Sequence, residues 1–144
     1  MIPKELRDKI EQHRSGDIDR TYPDAVNEAL EELGIPLNSE FGDFFREYAV
    51  TSLASPGDKA ELRDLLEPTT QILHVTQFVH EVWELPENYI CLSSIQSEGA
   101  YLYDRDTGAV WDFDLADRED FIAGRQKPAW NSFFEFMNWY LGEE

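Results

Sequence analysis

The order of apolar and polar positions predicts helices in the first part of the chain and strands in the second. Residues 3–14 place Ile2, Leu6 and Ile10 on one stripe, with Pro3 at a permitted first-turn position. This predicts a short polar helix ended by Ser15-Gly16-Asp17. From Pro23 to Leu33, Val26, Ala29, Leu30 and Leu33 keep helical spacing, Gly34 falls at a C′ position, and Pro36 prevents the helix from resuming. A third helix starts near Asn38 or Ser39 and carries Phe41, Phe44, Phe45 and Tyr48 on one face. Ala49 to Ser55 is β-capable, Ser55-Pro56-Gly57-Asp58 is a turn, and Ala60 to Leu66 suits one or two helical turns. Between Gln71 and Leu85, Ile72, Leu73 and Val75 predict a strand. Phe78, Val79, Val82 and Trp83 then predict a helix capped by Thr76.

Tyr89 to Ser94 is a nearly continuous apolar run, as in a strand buried on both faces. Ala100–Tyr103 and Ala109–Asp114 flank Asp104-Arg-Asp-Thr-Gly108, which reads as a hairpin with Gly108 at a positive-φ position. In the second of these strands Trp111, Phe113 and Leu115 share one face. Val110, Asp112 and Asp114 share the other, which sets two carboxylates side by side on an outer face. Ser132-Phe-Phe-Glu135 is a capping box, followed by a final helix to Leu141 with Phe133, Phe136, Met137 and Tyr140 inward and Gly142 as its stop. Helices, an antiparallel meander and a closing helix predict an α+β fold, with a single domain over residues 1–144.

Composition adds a constraint on partners. The 144 residues include 30 acids and 12 bases, a formal charge of −18, yet 42% are hydrophobic and 13% aromatic, so a folded core is expected rather than an acidic tail. Such a surface repels phosphate backbones and anionic lipid, and there is no basic stripe to offset it, so neither nucleic acid nor membrane is an expected partner. The first ten residues lack an apolar signal core and no run approaches ~18 apolar residues. With a single cysteine, this predicts a cytoplasmic protein. The acid is concentrated late. Met1 to Asp64 holds 15 acids and 8 bases, and Leu65 to Glu144 holds 15 and 4. The densest run, Asp112 to Asp120, sets Asp112, Asp114, Asp117, Glu119 and Asp120 around one Arg, and Glu84 and Glu87 make a second patch.

Catalytic chemistry is sparsely signalled. Cys91 lies in the most buried strand with no imidazole near it in sequence, as a structural thiol does. His80-Glu81 opens like a zincin helix, but Glu84 stands where the second His belongs. The Asp104–Gly108 loop has its Gly one place early for a calcium loop and Leu115 at the twelfth position. Phosphate-binding loops and nucleophile elbows do not occur, so no cofactor, metal or enzymatic role is expected. Trp83, Trp130 and Trp139 stand apart: helix rotation puts Trp139 off the inward stripe, where packing under a loop is favoured over an interface anchor.

Several of these segments together resemble the SUKH superfamily, which includes yeast cell-wall assembly regulators and many bacterial immunity proteins. They are Leu33-Gly34-Ile35-Pro36-Leu37, the aromatic helix from Phe41 to Tyr48, Leu85-Pro86-Glu-Asn-Tyr89 with its strand, the hairpin from Gly99 to Trp111 and the closing helix from Ser132 to Leu141. The resemblance covers residues 23–142 and is weak over 50–84. It implies an antiparallel sheet flanked by helices, no cofactor and no catalysis. It further implies binding to a cognate toxin domain, frequently a nuclease, delivered between competing bacteria. Under that reading the seven acids named above would meet the toxin's basic cleft. A regulatory adaptor is the alternative, and a small hydrolase a more distant one.

Overall fold

Three antiparallel strands in the order β1-β2-β3 divide the interior into two apolar clusters, one on each face of the sheet. The computed structural model describes residues 2–13, 23–50, 60–66, 71–95 and 98–142. The elements are α1 (Lys4–His13), α2 (Pro23–Leu33), α3 (Glu40–Glu47), α4 (Gln71–Glu81), β1 (Tyr89–Cys91), β2 (Gly99–Asp104) and β3 (Val110–Asp114). A 3-10 turn at Leu115–Asp117, α5 (Arg118–Ile122) and α6 (Phe133–Tyr140) complete the order. This is the expected α+β domain, with helices on both sides of the sheet.

Strand alternation sorts the side chains. Ile90, Tyr101, Tyr103 and Val110 join the larger cluster with α1, α2, α3 and α6, while Cys91, Ala100, Leu102 and Phe113 face Val79, Trp83, Leu85 and Phe121. Local signals fix several joints. Ser39 Oγ accepts from Gly42 N at 3.1 Å to start α3. Ser132 Oγ accepts from Glu135 N at 3.2 Å to start α6, while Glu135 Oε2 accepts from Asn131 N at 2.7 Å. Gly34 ends α2 at φ +73°, and the space its Cβ would need is taken by the Arg105 guanidinium, which donates to Leu33 O at 2.8 Å. The hairpin tip is a self-contained polar turn. Asp104 accepts from Asn88 Nδ2, Asp106 N and Thr107 Oγ1 at 2.9–3.0 Å, and Gly108 has φ +83°.

Three expectations are corrected, one of them in part, and one element was not anticipated. Residues 71–81 form one helix rather than a strand followed by a helix. Thr76 lies buried within it, and its hydroxyl accepts from Cys91 N at 3.0 Å instead of capping. Residues 60–66 are extended rather than helical: Leu62 bridges Ser93, Arg63 N donates to Leu92 O and Ser94 N donates to Glu61 O, both at 2.8 Å. The Val110 face of β3 is an outer face only at Asp112 and Asp114, which are exposed as expected, because Val110 itself is buried in the larger cluster and bridges Trp130. Finally, α5 arises within the acidic run, where charge masked the inward Phe121. The proposed helix stop at 15–17 and the turn at 55–58 lie outside the described residues, as does most of the β-capable stretch from Ala49 to Ser55.

Candidate partner-binding surface

Strand β3 runs into the 3-10 turn and α5 without a linker, so alternation places its acids and the turn then gathers more beside them. Asp112 pairs with Tyr101 and Asp114 with Gly99 in the β2–β3 register. Leu115 N is held by Glu98 O at 2.7 Å, and Asp114 Oδ1 accepts from Ala116 N at 2.9 Å, capping the turn. Asp117, Glu119 and Asp120 follow, with acids in the first turn of α5 where the helix dipole favours them. All five residues are exposed, Asp112 with its carboxyl partly sheltered, and so are Glu84 and Glu87.

The structure joins part of the second patch to the first. Arg118 Nε donates to Trp83 O at 2.7 Å and its Nη2 to Glu84 O at 3.2 Å, which brings the end of α4 against the start of α5. Glu84 Oε1 is 4.0 Å from the same guanidinium, with its side chain 77% exposed. Glu84 is also the one non-glycine with positive φ, 56°, among the described residues. Glu87 does not join this group. It borders a separate cleft of about 190 Å³ with Glu32, His80 and Arg105. Asp120 is tied to Arg125 at 2.8 Å, and the two line a shallow cleft of about 250 Å³ with Asp117 and Gln126.

Electrostatics distinguish one acid from the rest. Partial burial, and then the neighbouring charge of Asp114, hold the Asp112 carboxyl above the usual carboxylate range. Its register partner Tyr101 is likewise raised, chiefly by burial, with Asp112 adding to the effect. Cys91 is fully buried, its Sγ donating to Ser93 O at 3.3 Å, and burial pushes its thiol up to about 12. A thiol in that state is a packing group. Among the described residues no cluster of three or more His, Cys, Asp or Glu could hold a metal ion. No helix among them is long and apolar enough to cross a membrane.

Sequence reasoning missed Arg118 as an organiser, although a lone base inside an acidic run was a visible signal. The helical pattern through Phe78, Val79, Val82 and Trp83 also gave no sign of which of them face out. Phe78 and Val82 are exposed, 38% and 61%, one turn apart at the end of α4. Trp139 is half-buried and rests on the loop residue Trp130 with ring centroids 4.7 Å apart, so the favoured packing role holds.

The model of the SMI1 / KNR4 family (SUKH-1) matches residues 2–139. The matched region therefore includes α1, which the resemblance over 23–142 had left out. A comparison with curated proteins gives no match.

Proposed function

The chain belongs to the SMI1 / KNR4 family (SUKH-1), and from that premise we propose that it is a non-catalytic immunity protein. In this reading it binds a cognate toxin domain, such as a nuclease, and blocks it by laying an acidic surface on a basic substrate cleft. The observation that carries the reading is the surface built around Arg118. Its guanidinium ties the chain at Glu84 to the start of α5, where Asp117, Glu119 and Asp120 lie, and Asp112 and Asp114 are exposed on β3 just before them in the chain. A nuclease cleft must be basic to hold phosphate, so a carboxylate surface can occupy it and gain association rate by steering. Phe78 and Val82, next to Glu84 in the chain, supply the apolar centre that charge alone cannot.

The test is co-expression with the toxin encoded beside its gene, followed by stopped-flow association with the inactivated toxin domain. The chain is expected to restore growth. The double variant Asp112→Lys/Asp114→Lys should lower the association rate about tenfold or more at low salt and flatten its salt dependence. An unchanged rate would remove this surface from the interface. Failure to restore growth, with capture of a cellular regulatory protein instead, would make the chain an adaptor.

A further inference from the structure

Alternation along β3 sends its backbone groups to two sides, as it does its side chains. Asp104 N donates to Ala109 O at 2.9 Å and Leu115 N to Glu98 O at 2.7 Å, so Ala109, Trp111, Phe113 and Leu115 carry the ladder to β2. Val110, Asp112 and Asp114 therefore aim their N–H and C=O groups at the outer edge. Val110 is served there. Its N donates to Trp130 O at 2.9 Å, and its O accepts from Ala129 N and Trp130 N at 3.0 and 3.1 Å. Among the described residues, no hydrogen bond reaches the N–H or C=O of Asp112 or the N–H of Asp114. We propose that this edge takes a short extended segment of a basic protein partner as a fourth strand, with Lys or Arg at alternate positions opposite Asp112 and Asp114. The partner's class rests on the proposed function, while the edge is set by the register alone.

The chain does not complete the edge itself. In the antiparallel bridge between Val110 and Trp130, the residue opposite Asp112 would be Pro128, which has no N–H to give. Two consecutive amides, Ala129 and Trp130, converge on the Val110 carbonyl, where a regular ladder uses one, so pairing stops at that point. Backbone donors without a protein partner are met by water in native folds, which leaves these groups open to an incoming strand.

Charge selects the occupant. In a strand added here, the residues directly opposite Asp112 and Asp114 project to the same side of the sheet as the two carboxylates. Basic side chains at those positions would make two cross-strand ion pairs. They would also relieve the repulsion between the aspartates, of which Asp112 is partly sheltered and feels the charge of Asp114. A second copy of this chain is a poor occupant, because two β3 edges would bring aspartate against aspartate in addition to a charge of −18 on each molecule. The same repulsion that blocks self-pairing thus favours a basic strand.

The experiment follows backbone amides of the full chain by two-dimensional NMR at constant ionic strength. In the free protein, the Asp112 and Asp114 amides should exchange quickly with solvent, and those of Trp111 and Phe113 slowly. The probe is a capped heptapeptide alternating lysine and valine. It should shift the Asp112 and Asp114 amide protons, slow their exchange and saturate in the millimolar range. Each lysine N–H would face β3 and each valine N–H would face away, so N-methylation at the lysines should abolish binding and N-methylation at the valines should spare it. Asp112→Asn/Asp114→Asn should weaken binding about threefold or more. Slow exchange at Asp112 and Asp114 in the free protein, equal binding of the lysine-methylated peptide, unchanged binding by the double variant, or no shift up to about 10 mM peptide would each overturn the proposal. Proline is tolerated where a strand N–H faces outward, so Asp112→Pro removes the edge donor, with slow exchange at Phe113 confirming the fold. Full toxin neutralisation by that variant would overturn the partner's use of the edge. Peptide binding at the edge without toxin neutralisation by the parent chain would leave the edge standing and remove the immunity reading.

Discussion

Glu84 holds a backbone conformation that L-residues avoid, with φ 56° at the exit of α4. A left-handed conformation costs a non-glycine residue roughly 1–2 kcal/mol. The Arg118 guanidinium holds it in place by taking the carbonyls of Trp83 and Glu84, bonds that any residue at 84 would provide. The carboxylate itself adds little, since it lies 4.0 Å from that guanidinium and is largely solvated. Glycine would relieve the strain and lose part of the gain to chain entropy, about 0.5–1 kcal/mol. Glu84→Gly is therefore expected to leave the protein equally stable or up to ~1 kcal/mol more stable by urea denaturation, while slowing association with a basic partner. A glutamate kept where glycine folds as well or better points to a role for its carboxylate outside the fold. A stability loss above about 1 kcal/mol would instead give that side chain a structural role. The Asp112 carboxyl makes a related, pH-dependent contribution. Its raised folded-state pKa means the native state binds the extra proton, so this group favours folding below its native pKa and opposes it as pH rises through that value.

The elements legible in advance were those whose signals are local. Pro23 and Gly34 bracket α2, Ser39 and Ser132 cap their helices, and Gly108 closes the hairpin, each within a few residues of the element it bounds. What could not be read locally was decided by contacts distant in the chain. Val75 and Ile72 favour strand by propensity, yet Ile72 and Val79 are buried against different clusters when 71–81 is helical, and β1 needs that helix along its open edge. Residues 60–66 lack periodicity of their own and are extended because Leu92 and Ser94 offer backbone partners. The candidate surface divides the same way: its acids were visible as a run, whereas the link between Glu84 and α5 exists only through Arg118. Thr76 tests the helix–edge joint. Its hydroxyl is the acceptor for Cys91 N, so Thr76→Val preserves shape and leaves a buried donor unmet at a cost of about 1–3 kcal/mol. Thermal unfolding should fall by roughly 2–4 °C for each kcal/mol lost, with Thr76→Ser recovering most of the difference. A Thr76→Val protein as stable as the parent would show that water or another group serves the edge donor.

At the scale of the whole molecule, the charge of −18 acts on folding and on association with opposite signs. Thirty acids against 12 bases leave at least 18 carboxylates without a one-to-one basic partner, so repulsion outweighs pairing. Among the described residues, the pairs Lys4–Asp8, Arg7–Glu47 and Arg125–Asp120 do little to offset it, because they are solvent-exposed and themselves screened by salt, and only Arg46–Asp43 is more sheltered. Raising sodium chloride from about 0.01 to 0.15 M shortens the screening length from ~30 to ~8 Å. That removes most of the long-range repulsion between β3–α5 and the remaining acids while leaving buried apolar contacts intact. The free protein should gain on the order of 1 kcal/mol, seen as a rise of roughly 2–4 °C in Tm. Over the same range, association with a basic toxin domain should slow about tenfold or more, because steering depends on the field that salt removes. The pair of measurements separates two uses of one property. A Tm that falls with salt would mean that surface ion pairs dominate the fold. If the Tm rises while the association rate stays constant, the acid serves solubility alone, and partner recognition must rest on exposed apolar positions such as Phe78 and Val82.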